Sequence, residues 1–384
     1  MIFSNNSLTG SIPEEFGKMI KLGSLSLFMN QLSGKIPVGI GRLQALSSIE
    51  LFMNNLSGEL PPDFDRFSKL NVFYVSTNHL TGSLPDGLCD NKVLYGIYAF
   101  NNNLTGELPK SVEDCNSMSG VRVVERNDLS IPDGLWTVRP LTELLINNNR
   151  FTGQLPQKVA SNLSLVDISN NRFSGEIPYA ISSWSKLDTF RASNNSLTGS
   201  IPEEFGKMIK LGSLSLFMNQ LSGKIPVGIG RLQALSSIEL FMNNLSGELP
   251  PDFDRFSKLN VFYVSTNHLT GSLPDGLCDN KVLYGIYAFN NNLTGELPKS
   301  VEDCNSMSGV RVVERNDLSI PDGLWTVRPL TELLINNNRF TGQLPQKVAS
   351  NLSLVDISNN RFSGEIPYAI SSWSKLDTFR ASNN

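Results

Sequence analysis

The segments LGSLSLFMNQLSGKIPVGIGRLQA (22–45) and LSSIELFMNNLSGELPPDFDRFSK (46–69) align without a gap, and this 24-residue period runs along the chain. Further units begin at Leu70, Leu94, Met118, Leu141, Leu163 and Leu187, with only slight changes of length. The pattern is LxxLxLxxNxLSGxIPxxIxxLxx. A period of this size means a stacked array, because one unit cannot bury its apolar face except against the next.

Each recurring position has a physical task. Leu22, Leu25 and Leu27 point inward from a short extended segment, where alternation with period two marks a strand. Asn30 stands where the strand turns away, and its amide can satisfy backbone groups of its own and the neighbouring coil. Leu32 continues the core, Gly34 permits a close or tight backbone, and Pro37 sets φ without offering an N–H. Ile40 and Leu43 close the coil on its far side, on a 3-10 or irregular turn. An uninterrupted amphipathic helix is excluded, since Asn, Gly and Pro recur at fixed offsets. The expected fold is α/β: a right-handed solenoid with a concave parallel β-sheet and an irregular or 3-10 convex side.

The motif resembles the plant-specific leucine-rich repeat, in particular the extracellular arrays of plant leucine-rich-repeat receptor-like kinases. The likeness is carried by Leu32–Pro37, Leu56–Pro61, Leu80–Pro85, Leu104–Pro109 and Phe173–Pro178, and it covers essentially the whole chain. The resemblance implies a peptide or protein ligand, a co-receptor as a further partner, and an extracellular or plasma-membrane-associated location.

A second level of repetition is exact. Residues 4–195 and 193–384 are identical, offset by 189. Even the irregular unit is copied: VRVVERNDLSIPDGLW at 121–136, with one extra residue before its Asn and no Gly before Ile-Pro, returns at 310–325. The join is a regular coil, with Leu187, Phe190, Ala192, Asn195, Leu197, Gly199, Ile201 and Pro202 in their slots. The sequence therefore reads as one solenoid over 1–384, written twice. The opening MIFSNNSLTG has neither a basic segment nor an apolar core, so no secretory signal is expected in it. No apolar run approaches the ~20 residues that span a bilayer. The cysteine-paired terminal caps usual in the family are absent, so the reading is of a fragment whose uncapped ends favour self-association.

The strand positions between inward residues form the candidate ligand surface. They present Phe28, Phe52, Tyr74, Tyr98 and Phe100, followed by Arg122, Glu125, Glu143, Asp167 and Arg191. An aromatic row of this kind suits a peptide or a flat protein surface, and it equally suits side-by-side packing within a sheet. Related peptide-hormone receptors hold a peptide carboxylate with two arginines one residue apart. Val121–Arg122–Val123–Val124 lacks that pair, which argues against recognition of a free C-terminus. Asn-x-Ser/Thr acceptors stand at Asn5, Asn55, Asn103, Asn162, Asn194, Asn244, Asn292 and Asn351, as an extracellular surface would carry.

Cys89 and Cys115, with their copies Cys278 and Cys304, occupy apolar slots on the far side of adjacent coils; a bridge is conceivable, and buried free thiols are the expectation. His79 is alone, so no metal set is expected. With 32 basic against 36 acidic residues the net charge is −4, which favours neither nucleic acid nor an anionic membrane. No phosphate loop, HExxH, GxSxG or kinase catalytic segment occurs, and neither an enzyme nor a cofactor is expected. The function expected is a non-enzymatic recognition scaffold. The alternatives are a structural or engineered array without a ligand, and an inhibitor of a cell-wall hydrolase.

Overall fold

The computed structural model describes all residues except 124–126, 131–132 and 313–315. It divides into two compact units, one comprising Met1–Ser174 and Ser183–Asn195, the other Gly175–Ser182 and Ser196–Asn384.

In the first unit, one parallel sheet takes a three-residue strand from every coil. The strands are β1 (Ser24–Ser26), β2 (Ser48–Glu50), β3 (Val72–Tyr74), β4 (Gly96–Tyr98), β5 (Gly120–Arg122), β6 (Glu143–Leu145), β7 (Leu165–Asp167) and β8 (Thr189–Arg191). Register is maintained throughout, so that Ser26, Glu50, Tyr74, Tyr98 and Arg122 lie side by side. Leu25, Ile49, Phe73, Ile97, Val121, Leu144, Val166 and Phe190, at the strand centres, are wholly buried. Their flanking residues lie on the opposite face of the sheet, most of them half-buried. The second unit repeats the arrangement with eight strands, from Ser213–Ser215 to Thr378–Arg380.

Among the described residues, the coils leave the strand through a left-handed residue, as at Met29 (φ 53°), Met53 (56°), Thr77 (53°) and Asn101 (54°). The ladder asparagine follows. Asn78 Nδ2 donates to the carbonyls of Leu51 (3.0 Å), Val75 (3.1 Å) and Ser76 (3.2 Å), and its Oδ1 accepts the Leu56 N–H (3.0 Å). Asn54 and Asn102 repeat the pattern. One side chain thus satisfies backbone groups of two coils at a bend where neither sheet nor helix can. At Asn149 the donors are paired, while Oδ1 is buried without a partner among the described residues.

The Leu-Ser-Gly segment is itself extended, which the sequence pattern did not anticipate. Thr9–Ser11, Gln31–Gly34, Asn55–Glu59, His79–Gly82, Asn103–Glu107 and Asp128–Ser130 form a second parallel sheet in the first unit. Beyond it Pro37, with φ −57°, opens the 3-10 helix Val38–Arg42, from which Ile40 (0 % exposed) closes the core. The coil 141–162 has no helix at this place. Trp136 and Trp184, from the coils on either side, fill the deficit with rings stacked at 6.1 Å, and Ala160 is the small residue between those coils.

The free-thiol expectation is overturned: Cys89 is bonded to Cys115 and Cys278 to Cys304, with Cα atoms 5.9 Å apart in both pairs. The two cysteines differ by two slots in the repeat, and their apolar slots suited free thiols as well as a bridge. The coil 70–93 replaces the 3-10 helix with turns, however, and passes through left-handed conformations at Cys89 (φ 79°) and Lys92 (φ 60°). That detour brings Cys89 opposite the residue ending helix Lys110–Asp114.

Candidate functional site

The outward strand residues of the first unit form rows across the sheet, one residue per coil. Phe28 and Phe52 stack at 4.4 Å with planes 8° apart. Phe52 meets Tyr74 edge-on at 6.2 Å, and Tyr74 meets Tyr98 at 4.2 Å and 61°. The Arg122 guanidinium lies 5.6 Å from the centre of the Tyr98 ring, and its Nε donates to Glu143 Oε2 at 3.1 Å. Six of the residues singled out from the sequence therefore make one unbroken series of contacts over strands β1 to β6. Each ring is half-buried among its neighbours.

Other candidates fall elsewhere. Arg191 and Asp167 approach to 4.0 Å as a separate pair on β7 and β8. Phe100 is half-buried beside the ladder and has no ring partner among the described residues. Glu125 lies outside the described residues.

The aromatic side chains hold their positions for identifiable reasons. Tyr98 lies over Gly96 and Gly120, where an added Cβ at Gly96 would stand 2.5 Å from the ring and 2.9 Å from the Gly120 carbonyl. The glycines of YGIY and SGVR are thus the floor under Tyr98, a role hidden in the sequence because one of them comes from the next coil. Burial, then the neighbouring Tyr98 phenol and Glu50 carboxylate, push the Tyr74 phenol up to about 12. Tyr74 therefore presents a neutral hydroxyl. The hydrogen bonds that Arg122 donates to the Glu143 carboxylate raise its pKa and hold it firmly charged.

The acceptor asparagines are not equivalent. Asn5, Asn103, Asn244 and Asn292 are exposed. Asn55 is exposed as well, with Oδ1 accepting from His79 Nε2 at 2.7 Å. Asn194 donates to Asn170 Oδ1 at 2.7 Å. Asn162 and Asn351 are half-buried, their amides donating to the Arg139 and Arg328 carbonyls at 2.9 and 3.1 Å. Among the described residues there is no group of three His, Cys, Asp or Glu placed to hold a metal, and no helix long and apolar enough to cross a membrane.

A model of the Leucine Rich Repeat family matches residues 1–19, 162–184, 186–208 and 351–373. No curated protein sequence matches. The solved structure of a TDR receptor is similar over 99 % of this chain and 67 % of its own, at 33 % identity and a TM-score of 0.94. The chain belongs to the plant leucine-rich-repeat receptor family. The Arabidopsis receptor kinase HAESA, solved with the peptide hormone IDA and the co-receptor SERK1, is 30 % identical with a TM-score of 0.78; the match covers 99 % of this chain and 73 % of that one. The plant peptide hormone receptor RGFR1, solved with RGF2, is 29 % identical with a TM-score of 0.86, over 97 % of this chain. This leucine-rich-repeat chain spans 65 % of the RGFR1 chain's length. Its repeat architecture is that of the leucine-rich-repeat ectodomains it resembles.

Proposed function

We propose that each unit of the chain binds an extended peptide, or an extended segment of a protein, across its strand face, as part of an extracellular receptor. The observation that carries this is the run of contacts from Phe28 through Phe52, Tyr74, Tyr98 and Arg122 to Glu143. The sheet's backbone groups are used between coils, so recognition falls to side chains. Half-open aromatic rows are poorly accommodated by water and well suited to a ligand's apolar residues. The peptide hormones bound in the RGFR1 and HAESA structures support a ligand of this class. The co-receptor in the HAESA–IDA–SERK1 structure supports a second receptor chain as the other partner.

The test is to secrete the chain and screen it against synthetic plant peptides and apoplastic proteins. Phe52→Ala with Tyr98→Ala, together with Phe241→Ala and Tyr287→Ala in the second copy, should weaken a recovered ligand roughly a hundredfold or more. A folded chain that binds nothing, or variants that bind like wild type, would refute the reading.

A further inference from the structure

Among the described residues, one carboxylate on this face has no counter-ion. Glu50 lies in register between Ser26 and Tyr74. Its Oε2 accepts from Ser26 Oγ at 3.0 Å and its Oε1 from Ser48 Oγ at 3.4 Å. These two hydroxyls fix the carboxylate without neutralising it. Among the described residues, the other acids of the face are matched, Glu143 by Arg122 and Asp167 by Arg191. Strands β1 to β4 contain neither lysine nor arginine, and no ion pair to Glu50 exists among the described residues.

The surroundings of Glu50 are aromatic. Phe52 follows two residues later on the same face, stacked on Phe28, and Tyr74 stands beside Glu50 on the next strand. A half-buried carboxylate bordered by rings is the setting that a cationic side chain recognises, through charge-assisted hydrogen bonds and the negative faces of the rings. The molecule itself supplies a filled example. Three strands away from Glu50, Arg122 lies over Tyr98 and bonds to Glu143, so ring, cation and carboxylate are complete. At Tyr74 and Glu50 the ring and the carboxylate are present and the cation is missing. The second unit has the same incomplete set, with Glu239 held by Ser215 Oγ at 3.0 Å, next to Tyr263 and the Phe217–Phe241 stack.

We propose that Glu50, and Glu239 in the second unit, receive a basic side chain of the bound peptide, arginine in preference to lysine. A planar guanidinium can lie against a ring and still direct N–H groups at both carboxylate oxygens, which an ammonium cannot do. The ligand is thus a peptide with an arginine beside an apolar residue, the apolar residue resting on Phe28 and Phe52. This rests on the peptide-binding reading above.

The experiment is selection of a phage-displayed random-peptide library on the secreted chain. Three variants accompany it, each carrying its change in both copies and each required to match wild type in circular dichroism: Glu50→Gln with Glu239→Gln, Glu50→Lys with Glu239→Lys, and Phe52→Ala with Phe241→Ala. Wild type should enrich peptides with an arginine next to an apolar residue. A synthetic peptide of that kind should bind the Gln variant roughly tenfold to a hundredfold more weakly. Changing its arginine to alanine should cost little more on that variant. The Lys variant should enrich acidic peptides instead. Enriched peptides without basic residues, or a Gln variant binding as tightly as wild type while the Phe variant fails, would overturn the role of Glu50 and leave peptide binding standing. No enrichment over the Phe variant would overturn both.

Discussion

Asp65 Oδ2 accepts the backbone N–H of Cys89 at 2.9 Å, and Cys89 is in turn bonded to Cys115. Three successive coils are thereby fastened at one place, the first to the second by a carboxylate and the second to the third by a disulfide. Asp65 Oδ1 also accepts the Leu70 N–H at 2.7 Å, closing its own coil. The side chain is fully buried.

The buried carboxylate makes stability depend on pH in an unusual direction. Burial raises the Asp65 carboxyl from 3.8 to about 6, against the two backbone N–H groups that favour its charged form. The same holds for Asp254. A group that binds its proton more tightly when folded adds stability below its unfolded pKa and loses that contribution as pH rises through the folded one. Compared with Asp65→Asn plus Asp254→Asn, wild type should have its largest advantage in thermal midpoint near pH 4, narrowing as pH passes 6. Thermal melts of both proteins from pH 4 to 7 check this, and a constant gap would contradict it.

Removing the disulfides should be costly. Each closes a loop of 26 residues, for which the chain-entropy account gives about 3–4 kcal/mol. Replacing all four cysteines by alanine should lower the urea midpoint markedly. Reductant should lower that of wild type to a similar degree and leave the variant unchanged.

Gly96→Ala tests the floor beneath Tyr98. A Cβ there meets both the Tyr98 ring and the Gly120 carbonyl, so the ring must lift and the sheet must give. With Gly285→Ala in the second copy, peptide affinity should fall at least about tenfold. The same substitution at Gly10, whose Cβ would meet nothing within 4 Å, should spare binding despite its left-handed φ of 80°. Isothermal titration of both variants decides the point.

Because the second unit repeats Phe217, Phe241, Tyr263 and Tyr287 in matching geometry, titration of wild type should give two peptides per chain. Phe241→Ala with Tyr287→Ala should reduce this to one, with the remaining affinity unchanged. A stoichiometry of one for wild type would show that the copies are not equivalent in binding.

What the sequence disclosed is what the period disclosed. Leu25, Asn30, Pro37 and Ile40 act within their own coil or in the same way in every coil, so repetition alone reveals their tasks. The pairing of Cys89 with Cys115, the seat of Tyr98 on Gly120, and the stacking of Trp136 on Trp184 join residues in different slots of different coils. Such contacts depend on local departures from the period, like the left-handed Cys89 or the helix-free coil 141–162. A consensus averages those departures away. The strand face was legible as a row of residue types, whereas the order in which Phe28, Phe52, Tyr74, Tyr98 and Arg122 touch needed the register.

The one-strand-per-coil register also bears on how recognition by such a molecule can change. Neighbouring letters of the surface, such as Glu50 and Tyr74, are 24 residues apart in the chain and side by side in space. Each coil is a separately exchangeable character: altering one residue rewrites one contact, and inserting or deleting a whole coil shifts the reading frame of the surface while every remaining coil keeps its own core.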